Sequence, residues 1–204
     1  MLTLLIVDDH FVVRSGLVAS LELEDDLRVV AEVERGEDVI AAYTSHRPDL
    51  VLMDVQLPGI SGIEATSALL TSHPEAHVLI FSTSVKDEEI HQAMQAGALG
   101  YHPKSSSRES LLAAIRSVSA GKISLPPEIA QRLRERLTEP EITPREKEIL
   151  TLVSKGRANK EIAAQLGIAE DTVKQHVSRI LQKLRVSDRA QATAEAIRRG
   201  IVKL

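Results

Sequence analysis

Short apolar runs alternate with longer amphipathic stretches through about the first 120 residues of this 204-residue chain. The runs are TLLIV (3–7), LRVVAEV (27–33), DLVLM (49–53), HVLIF (77–81) and LGYH (99–102). Three of them are almost uninterrupted apolar sequence, which is typical of strands that are buried on both faces. Because strands that alternate with helices indicate βαβ units, we predict an α/β domain of five strands and five helices around a parallel sheet.

The stretches between these runs carry apolar residues at helical spacing. In the first stretch, Val13, Leu17 and Leu21 fall on one helical face. The last stretch, SSRESLLAAIRSVSAG, starts from serines that suit a helix N-cap and ends at Gly121. Both stretches therefore predict amphipathic helices that pack on the sheet.

Polar residues stand where the predicted strands end. Asp8 and Asp9 follow the first strand, and Asp54 ends the third. Ser82 ends the fourth strand and Lys104 follows the fifth. Each residue alone is an ordinary turn or cap residue. Because sheets of this kind bind ligands at the carboxyl ends of their strands, their joint placement predicts a site there.

The residue types at this edge suit phosphoryl chemistry. Three carboxylates held close together repel one another, and a divalent cation such as Mg²⁺ removes the conflict. A carboxylate can also act as a nucleophile toward phosphorus and form an aspartyl phosphate. The ammonium of Lys104 and the hydroxyl of Ser82 could then contact the phosphoryl oxygens.

Four segments carry a resemblance to a known family. IVDDH, LVLMDVQLPGISGIEA, VLIFSTS and AGALGYHPKS, in this order and spacing, resemble the receiver domain of bacterial two-component response regulators over residues 2–121. The resemblance implies a flavodoxin-like (βα)5 fold, phosphorylation of Asp54, and Mg²⁺ bound by Asp8, Asp9, Asp54 and the backbone carbonyl of Gln56. It also implies that Lys104 contacts the phosphoryl group.

The same resemblance assigns a switch and a loop. Ser82 and Tyr101 match the hydroxyl and aromatic switch positions, and Gly62 matches a glycine of the loop after the acceptor. Many receivers place a proline directly after the lysine. Here Pro103 precedes Lys104 and Ser105 follows it, so the chain departs from the family at this point.

Charge divides the chain into two parts. Residues 1–121 contain 8 Lys+Arg and 18 Asp+Glu, whereas residues 122–204 contain 17 and 11. An acidic front part and a basic back part indicate two domains with different partners, and the basic part suggests nucleic acid. A solvated basic surface is an equally ordinary explanation of the charge alone. The chain has no cysteine, no apolar run long enough for a membrane span and no basic leader, so we expect a cytoplasmic protein.

The back part begins with a segment that has prolines near both ends. We interpret residues 122–140 as a linker that contains a short helix, and the alternative is an extra helix packed on the first domain. Thr143, Pro144 and Glu146 then form a capping-box pattern at the start of a helix. A short helix that ends at Gly167 and a longer one over 170–184 complete a helix-turn-helix pattern.

The longer helix separates into faces. Its apolar residues fall at helical spacing and predict a buried face: Val173, Val177, Ile180, Leu181 and Leu184. On its outward faces, lysine and glutamine can read base edges, as Lys174 and Gln175 would, whereas Arg179 and Lys183 suit phosphates. A solvated basic face is the alternative.

A second resemblance covers residues 141–204. ITPRE and NKEIAAQLGIAEDTVKQHVSRILQKL resemble the four-helix DNA-binding domain of the LuxR/NarL/FixJ class. This implies that 170–184 is the recognition helix and that the last helix, about 188–199, mediates dimerisation. The DNA-contact set that we predict is Asn159, Lys160, Thr172, Lys174, Gln175, Ser178, Arg179 and Lys183.

We therefore predict a transcriptional regulator, not an enzyme, which a sensor histidine kinase phosphorylates on Asp54. The phosphorylated form would dimerise and bind DNA half-sites. Two alternatives remain: a Mg²⁺-dependent phosphohydrolase with an aspartyl nucleophile, and a binding module that ignores phosphate and is regulated by a partner or a ligand.

Overall fold

A computed structural model describes residues 1–137, 140 and 142–202. Residues 138, 139 and 141, in the predicted linker and at the start of the predicted C-terminal domain, lie outside the described residues, as do residues 203 and 204. The chain divides into two compact units. One consists of Met1–Val85 and Glu89–Arg132, and the other of Lys86–Glu88 and Leu133–Leu204.

The first unit is built on a five-stranded sheet in which every pairing is parallel. The strands are β1 Leu2–Val7, β2 Leu27–Val33, β3 Leu50–Met53, β4 Val78–Ser82 and β5 Gly100–Pro103. Their order is β2-β1-β3-β4-β5. β3 and β4 are buried along their whole length, as the uninterrupted apolar runs predict. The predicted α/β flavodoxin-like fold is therefore confirmed.

Five α-helices connect and follow these strands. They are α1 Phe11–Leu21, α2 Val39–His46, α3 Gly62–Ser72, α4 Asp87–Gln95 and α5 Arg108–Ser119, and a 3-10 turn at Gly36–Asp38 precedes α2. Leu17 and Leu21 of α1 belong to the apolar core together with the apolar face of α5. Ser107 caps α5, because its side chain accepts a hydrogen bond from the Ser110 N–H (3.2 Å).

The first unit extends beyond residue 121. Ser124 forms a parallel bridge with Gly100, so it continues the sheet beside β5. A sixth helix, α6 Pro127–Leu137, follows, and Ile129 in its first turn is only 3% exposed. The short helix predicted in the linker is present, but its first residues cluster with the α/β unit.

Beyond the end of α6, the described residues of the second unit form four helices: α7 Pro144–Ser154, α8 Asn159–Leu166, α9 Glu170–Leu184 and α10 Arg189–Arg199. A separate apolar core holds them together, with Val173, Ile180 and Leu184 of α9 buried at its centre. Thr143 and Glu146 form the predicted capping box, and Gly167 ends α8 in the left-handed conformation (φ 65°). The predicted four-helix domain is therefore confirmed.

Across the described ranges, none of the helices combines the length and the apolar character that crossing a membrane requires.

Candidate functional site

An acidic pocket lies at the carboxyl ends of β1, β3 and β5. β1 and β3 pair in register, with Val7 opposite Met53, so the next residues, Asp8 and Asp54, are neighbours at the sheet edge. Lys104 follows β5, and its Nζ lies 2.6 Å from Asp8 Oδ2 and 2.7 Å from Asp54 Oδ2. The ammonium of Lys104 thus contacts two other predicted site residues, Asp8 and Asp54.

This cluster is largely withdrawn from water. The side chains of Asp8 and Asp54 are each 3% exposed, and that of Lys104 is 10% exposed. Burial disfavours the charge on Lys104, but hydrogen bonds and attraction from Asp54 and Asp8 outweigh it and raise the pKa of the ammonium. Lys104 therefore holds a positive charge between two buried carboxylates at neutral pH.

Asp9 and His10 stand at the mouth of the pocket. His10 Nδ1 lies 2.7 Å from Asp9 Oδ1, and one donor atom from each of Asp8, Asp9, His10 and Asp54 falls within 4.8 Å of the others. Carboxylate oxygens at this spacing are ligands that Mg²⁺ prefers, so the donor set fits the predicted ion. Gln56 approaches through its N–H group, which donates to Asp54 Oδ1 (3.2 Å).

The predicted switch residues lie beside this pocket. Ser82 is fully buried at the end of β4, and its Oγ accepts a hydrogen bond from the Ser84 N–H (3.3 Å). Tyr101 of β5 is also fully buried, and its hydroxyl donates to the Ser84 carbonyl (2.7 Å). Burial raises the pKa of the Tyr101 hydroxyl, so it remains a neutral donor. The side chains of Ser82 and Tyr101 thus both hydrogen-bond to Ser84 in the β4–α4 loop.

Sequence reasoning missed two side chains at this pocket. His10 belongs to the IVDDH segment, and its position next to two aspartates was the available signal. Arg14 contacts the Asp8 backbone, although it lies within a helix that we interpreted by its apolar face. Helical spacing could have identified Arg14, because a residue three positions before Leu17 and seven before Leu21 falls on the same buried face of the helix.

In the second unit, α9 presents part of the predicted DNA-contact set to solvent. Lys174, Gln175, Ser178 and Arg179 lie on this helix and are exposed, whereas Thr172 is half-buried. The side chain of Lys174 donates to Asp171 (2.9 Å), and this contact, with the charges of Asp171 and Glu170, raises the pKa of the lysine. The exposed residues form one accessible polar face.

The remaining predicted DNA-contact residues differ in their exposure to solvent. Lys160 is exposed near the start of α8, whereas Asn159 is half-buried. Lys183 does not lie on an outward face as predicted, since its Nζ is 2.6 Å from the buried Glu146 of α7 and its side chain is 23% exposed. The helical spacing that assigned Lys183 outward did not account for an acidic partner on a neighbouring helix.

Comparison with known proteins agrees with both units. Residues 4–116 match the family model of the response regulator receiver domain, and residues 140–196 match that of bacterial regulatory proteins of the luxR family. The response regulator protein VraR of Staphylococcus aureus is 37% identical over 204 residues, which cover 98% of each chain.

Solved structures show the same architecture. The crystal structure of response regulator ChrA of a heme-sensing two-component system is 35% identical, covers 98% of each chain and gives a TM-score of 0.58. RcsB of Salmonella typhimurium shares the fold at 21% identity, with 95% of this chain and 98% of RcsB covered and a TM-score of 0.77.

The fold and the matched models define a two-component response regulator. This chain belongs to the group of that family that carries a receiver domain and a LuxR-type helix-turn-helix DNA-binding domain. It is therefore not an enzyme of the phosphohydrolase type.

Proposed function

We propose that Asp54 accepts a phosphoryl group from a sensor histidine kinase and that this modification controls DNA binding. The observation that carries the proposal is the Lys104 ammonium between the buried carboxylates of Asp8 and Asp54. A buried, lysine-paired aspartate at the carboxyl edge of a parallel sheet suits a nucleophile toward phosphorus.

The chain's own residues have defined parts in the transfer. A carboxylate oxygen of Asp54 forms a bond to phosphorus while the bond from phosphorus to the kinase histidine nitrogen breaks, and that nitrogen keeps the electron pair. Lys104 would contact a phosphoryl oxygen, and the Ser82 hydroxyl would donate to another after a short inward movement. Mg²⁺ held by Asp8, Asp9, Asp54 and the Gln56 carbonyl would supply positive charge toward the phosphoryl oxygens.

The second unit would bind DNA through α9. Its residues Lys174, Gln175 and Ser178 would face bases in the major groove, while Arg179 and Lys160 would contact phosphates. Thr172 and Asn159 would support the same surface. Structures of RcsB bound to DNA, including one with promoter rprA and the phosphomimetic BeF3-, support this use of the shared fold.

Residues 1–121 would serve as the receiver domain, extended by Ser124 and the start of α6, the rest of 122–140 would serve as the linker, and 141–204 would serve as the DNA-binding domain. Phosphorylation would favour a homodimer on paired half-sites, with α10 at the dimer contact. Ser82 and Tyr101 would carry the change from Asp54 to the β4–α4 loop, shifting a population between two arrangements. Because its target is bacterial DNA, the protein would act in the cytoplasm.

Intact mass spectrometry tests the proposal. The full chain and Asp54→Asn are incubated with Mg²⁺ and a small phosphodonor such as acetyl phosphate, and DNA duplexes selected from a random pool provide the binding probe. We expect one phosphoryl adduct on the wild type only, together with a dimer in size measurements and tighter DNA binding. An unmodified wild type, or an Asp54→Asn variant that gains the same adduct, contradicts the assignment of Asp54.

A further inference from the structure

A buried arginine lies directly behind the acidic pocket. Arg14 stands one turn into α1, and only 7% of its side chain is exposed. Arginine is rarely buried unless its charge is paired and its N–H groups have acceptors. The partners of this side chain therefore indicate what it does.

The guanidinium of Arg14 connects α1 to two other segments of the first unit. One terminal nitrogen donates to the backbone carbonyl of Asp8 (2.6 Å), and the other donates to Glu34 Oε1 (2.5 Å). Its Nε lies 3.4 Å from Glu32 Oε2. Glu32 belongs to β2 and Glu34 follows that strand directly, so Arg14 links the β1–α1 loop to the end of the neighbouring strand.

Arg14 completes the set of contacts that hold Asp8. The Asp8 N–H donates to the Val33 carbonyl (3.1 Å), Oδ1 accepts from the His10 N–H (2.9 Å), and Oδ2 accepts from Lys104 (2.6 Å). The carbonyl, which Arg14 holds, is the remaining polar group of this residue. Every polar group of Asp8 thus has a partner, so the carboxylate and its peptide are fixed together.

We propose that Arg14 is a positioning residue for the cation site. This inference rests on the proposed function, because it assigns Arg14 the task of holding Asp8 and Asp9 in the geometry that binds Mg²⁺. Arg14 does not touch the reacting atoms; it acts through the Asp8 peptide. Its planar fork suits this task, since two separate terminal nitrogens donate to a carbonyl and a carboxylate on different segments, whereas a lysine would have to reach both acceptors from a single nitrogen.

Removal of the Arg14 guanidinium would release the β1–α1 loop. In Arg14→Met the apolar stem remains, but the Asp8 carbonyl loses a buried charged donor. Outer-shell partners of metal ligands typically change metal affinity by about 10- to 100-fold when they are removed. We therefore expect Mg²⁺ half-saturation of the phosphorylation rate to rise about 10-fold or more, while the rate at saturating Mg²⁺ stays close to that of the wild type.

The experiment uses full-length Arg14→Met and Arg14→Lys, with Arg28→Met as a matched control at an exposed arginine of β2. Mn²⁺ binding to the unphosphorylated proteins, followed by electron paramagnetic resonance, gives a second readout that does not depend on phosphorylation. We expect Arg14→Met to bind Mn²⁺ most weakly and Arg14→Lys to recover part of the affinity. Arg28→Met should remain within about twofold of the wild type.

The outcomes separate this inference from the proposed function. A wild type that gains no phosphoryl adduct removes the proposed function, while the Mn²⁺ comparison still tests Arg14. If the wild type is phosphorylated and Arg14→Met keeps its Mg²⁺ and Mn²⁺ dependence within about twofold, Arg14 is only a structural ion pair. Should Arg14→Met fail to fold, Arg14→Lys decides the question by the same limit.

Discussion

Asp54 and Gly62 meet at a distance that only glycine permits. A Cβ built on Gly62 would lie 1.8 Å from the Asp54 carbonyl oxygen, and the Gly62 N–H donates to the Val55 carbonyl (2.9 Å). The clash involves backbone atoms, so it cannot be relieved by a side-chain rotation. The close approach of the chain therefore requires a glycine here, as predicted for the loop that follows Asp54.

Gly62→Ala should destabilise the first unit and disturb Asp54, the proposed phosphoryl acceptor. We expect the free energy of unfolding to fall by about 1–3 kcal/mol, because the backbone around Asp54 must move to admit the methyl group. Urea denaturation measures this change, and the rate of adduct formation should fall with it.

Gly16→Ala is the matched control. Gly16 is exposed in the middle of α1 and has no atom within 4 Å of an added Cβ, so alanine should stabilise the protein by about 0.5–1 kcal/mol. Equal losses for the two variants would mean that the approach to Asp54 does not determine the effect.

Among the helices, α7 and α9 are joined by a partly buried ion pair between Glu146 and Lys183. Glu146 caps α7, accepting from the Thr143 N–H (2.8 Å), and also pairs with Lys183 of α9 (2.6 Å). Burial raises the pKa of Glu146, but hydrogen bonds from Lys183 and Thr143 outweigh it and leave the pKa below its usual value. The Glu146 carboxylate thus caps the start of α7 and binds Lys183 near the end of α9. This contact fixes the orientation of α9 relative to α7.

Lys183→Met and Arg179→Ala should therefore have different effects. Lys183→Met leaves a buried carboxylate unpaired, and we expect a loss on the order of 3 kcal/mol in unfolding free energy. Arg179→Ala changes an exposed side chain, so stability should stay within about 0.5 kcal/mol. If Arg179 contacts a DNA phosphate, this variant lowers the slope of log affinity against log salt by about 1.

Denaturation and salt-dependent DNA titration separate the two residues. A Lys183→Met variant that is as stable as the wild type but has a reduced salt slope would restore the original prediction that Lys183 contacts phosphates.

For the molecule as a whole, the boundary of the first unit lies beyond the predicted receiver domain. The Ser124 carbonyl accepts from the Tyr101 N–H (3.3 Å), and the Ser124 N–H donates to the Leu99 carbonyl (2.9 Å), so the chain after α5 adds to the sheet edge. Ile129 is buried in α6, whereas Ile123 is 67% exposed. Part of the predicted linker is therefore folded structure.

Ile129→Ala should destabilise the protein although it lies in the predicted linker. Truncation of a buried isoleucine typically costs about 2–5 kcal/mol, and we expect a value in this range from urea unfolding. Ile123→Ala removes the same side chain at an exposed position of the same segment, so it serves as the control, with a change within about 0.5 kcal/mol. Equal small changes would show that residues 122–132 act only as a linker.

Sequence periodicity predicted the elements well. The apolar runs located all five strands, because buried parallel strands need continuous apolar sequence, and capping residues such as Thr143, Ser107 and Gly167 marked helix ends. The ends of the strands also predicted which polar residues share an edge, since parallel strands point their carboxyl ends the same way.

The sequence by itself determined the two folds and the meeting of Asp8, Asp54 and Lys104 at one sheet edge, because these follow from local periodicity and strand direction. Only the tertiary structure decided that Arg14 holds the Asp8 carbonyl, that Lys183 turns to Glu146 and that Ser124 joins the sheet. Those contacts pair groups on different elements, and their energies depend on burial and on the close approach of neighbouring elements, which a one-dimensional pattern does not contain.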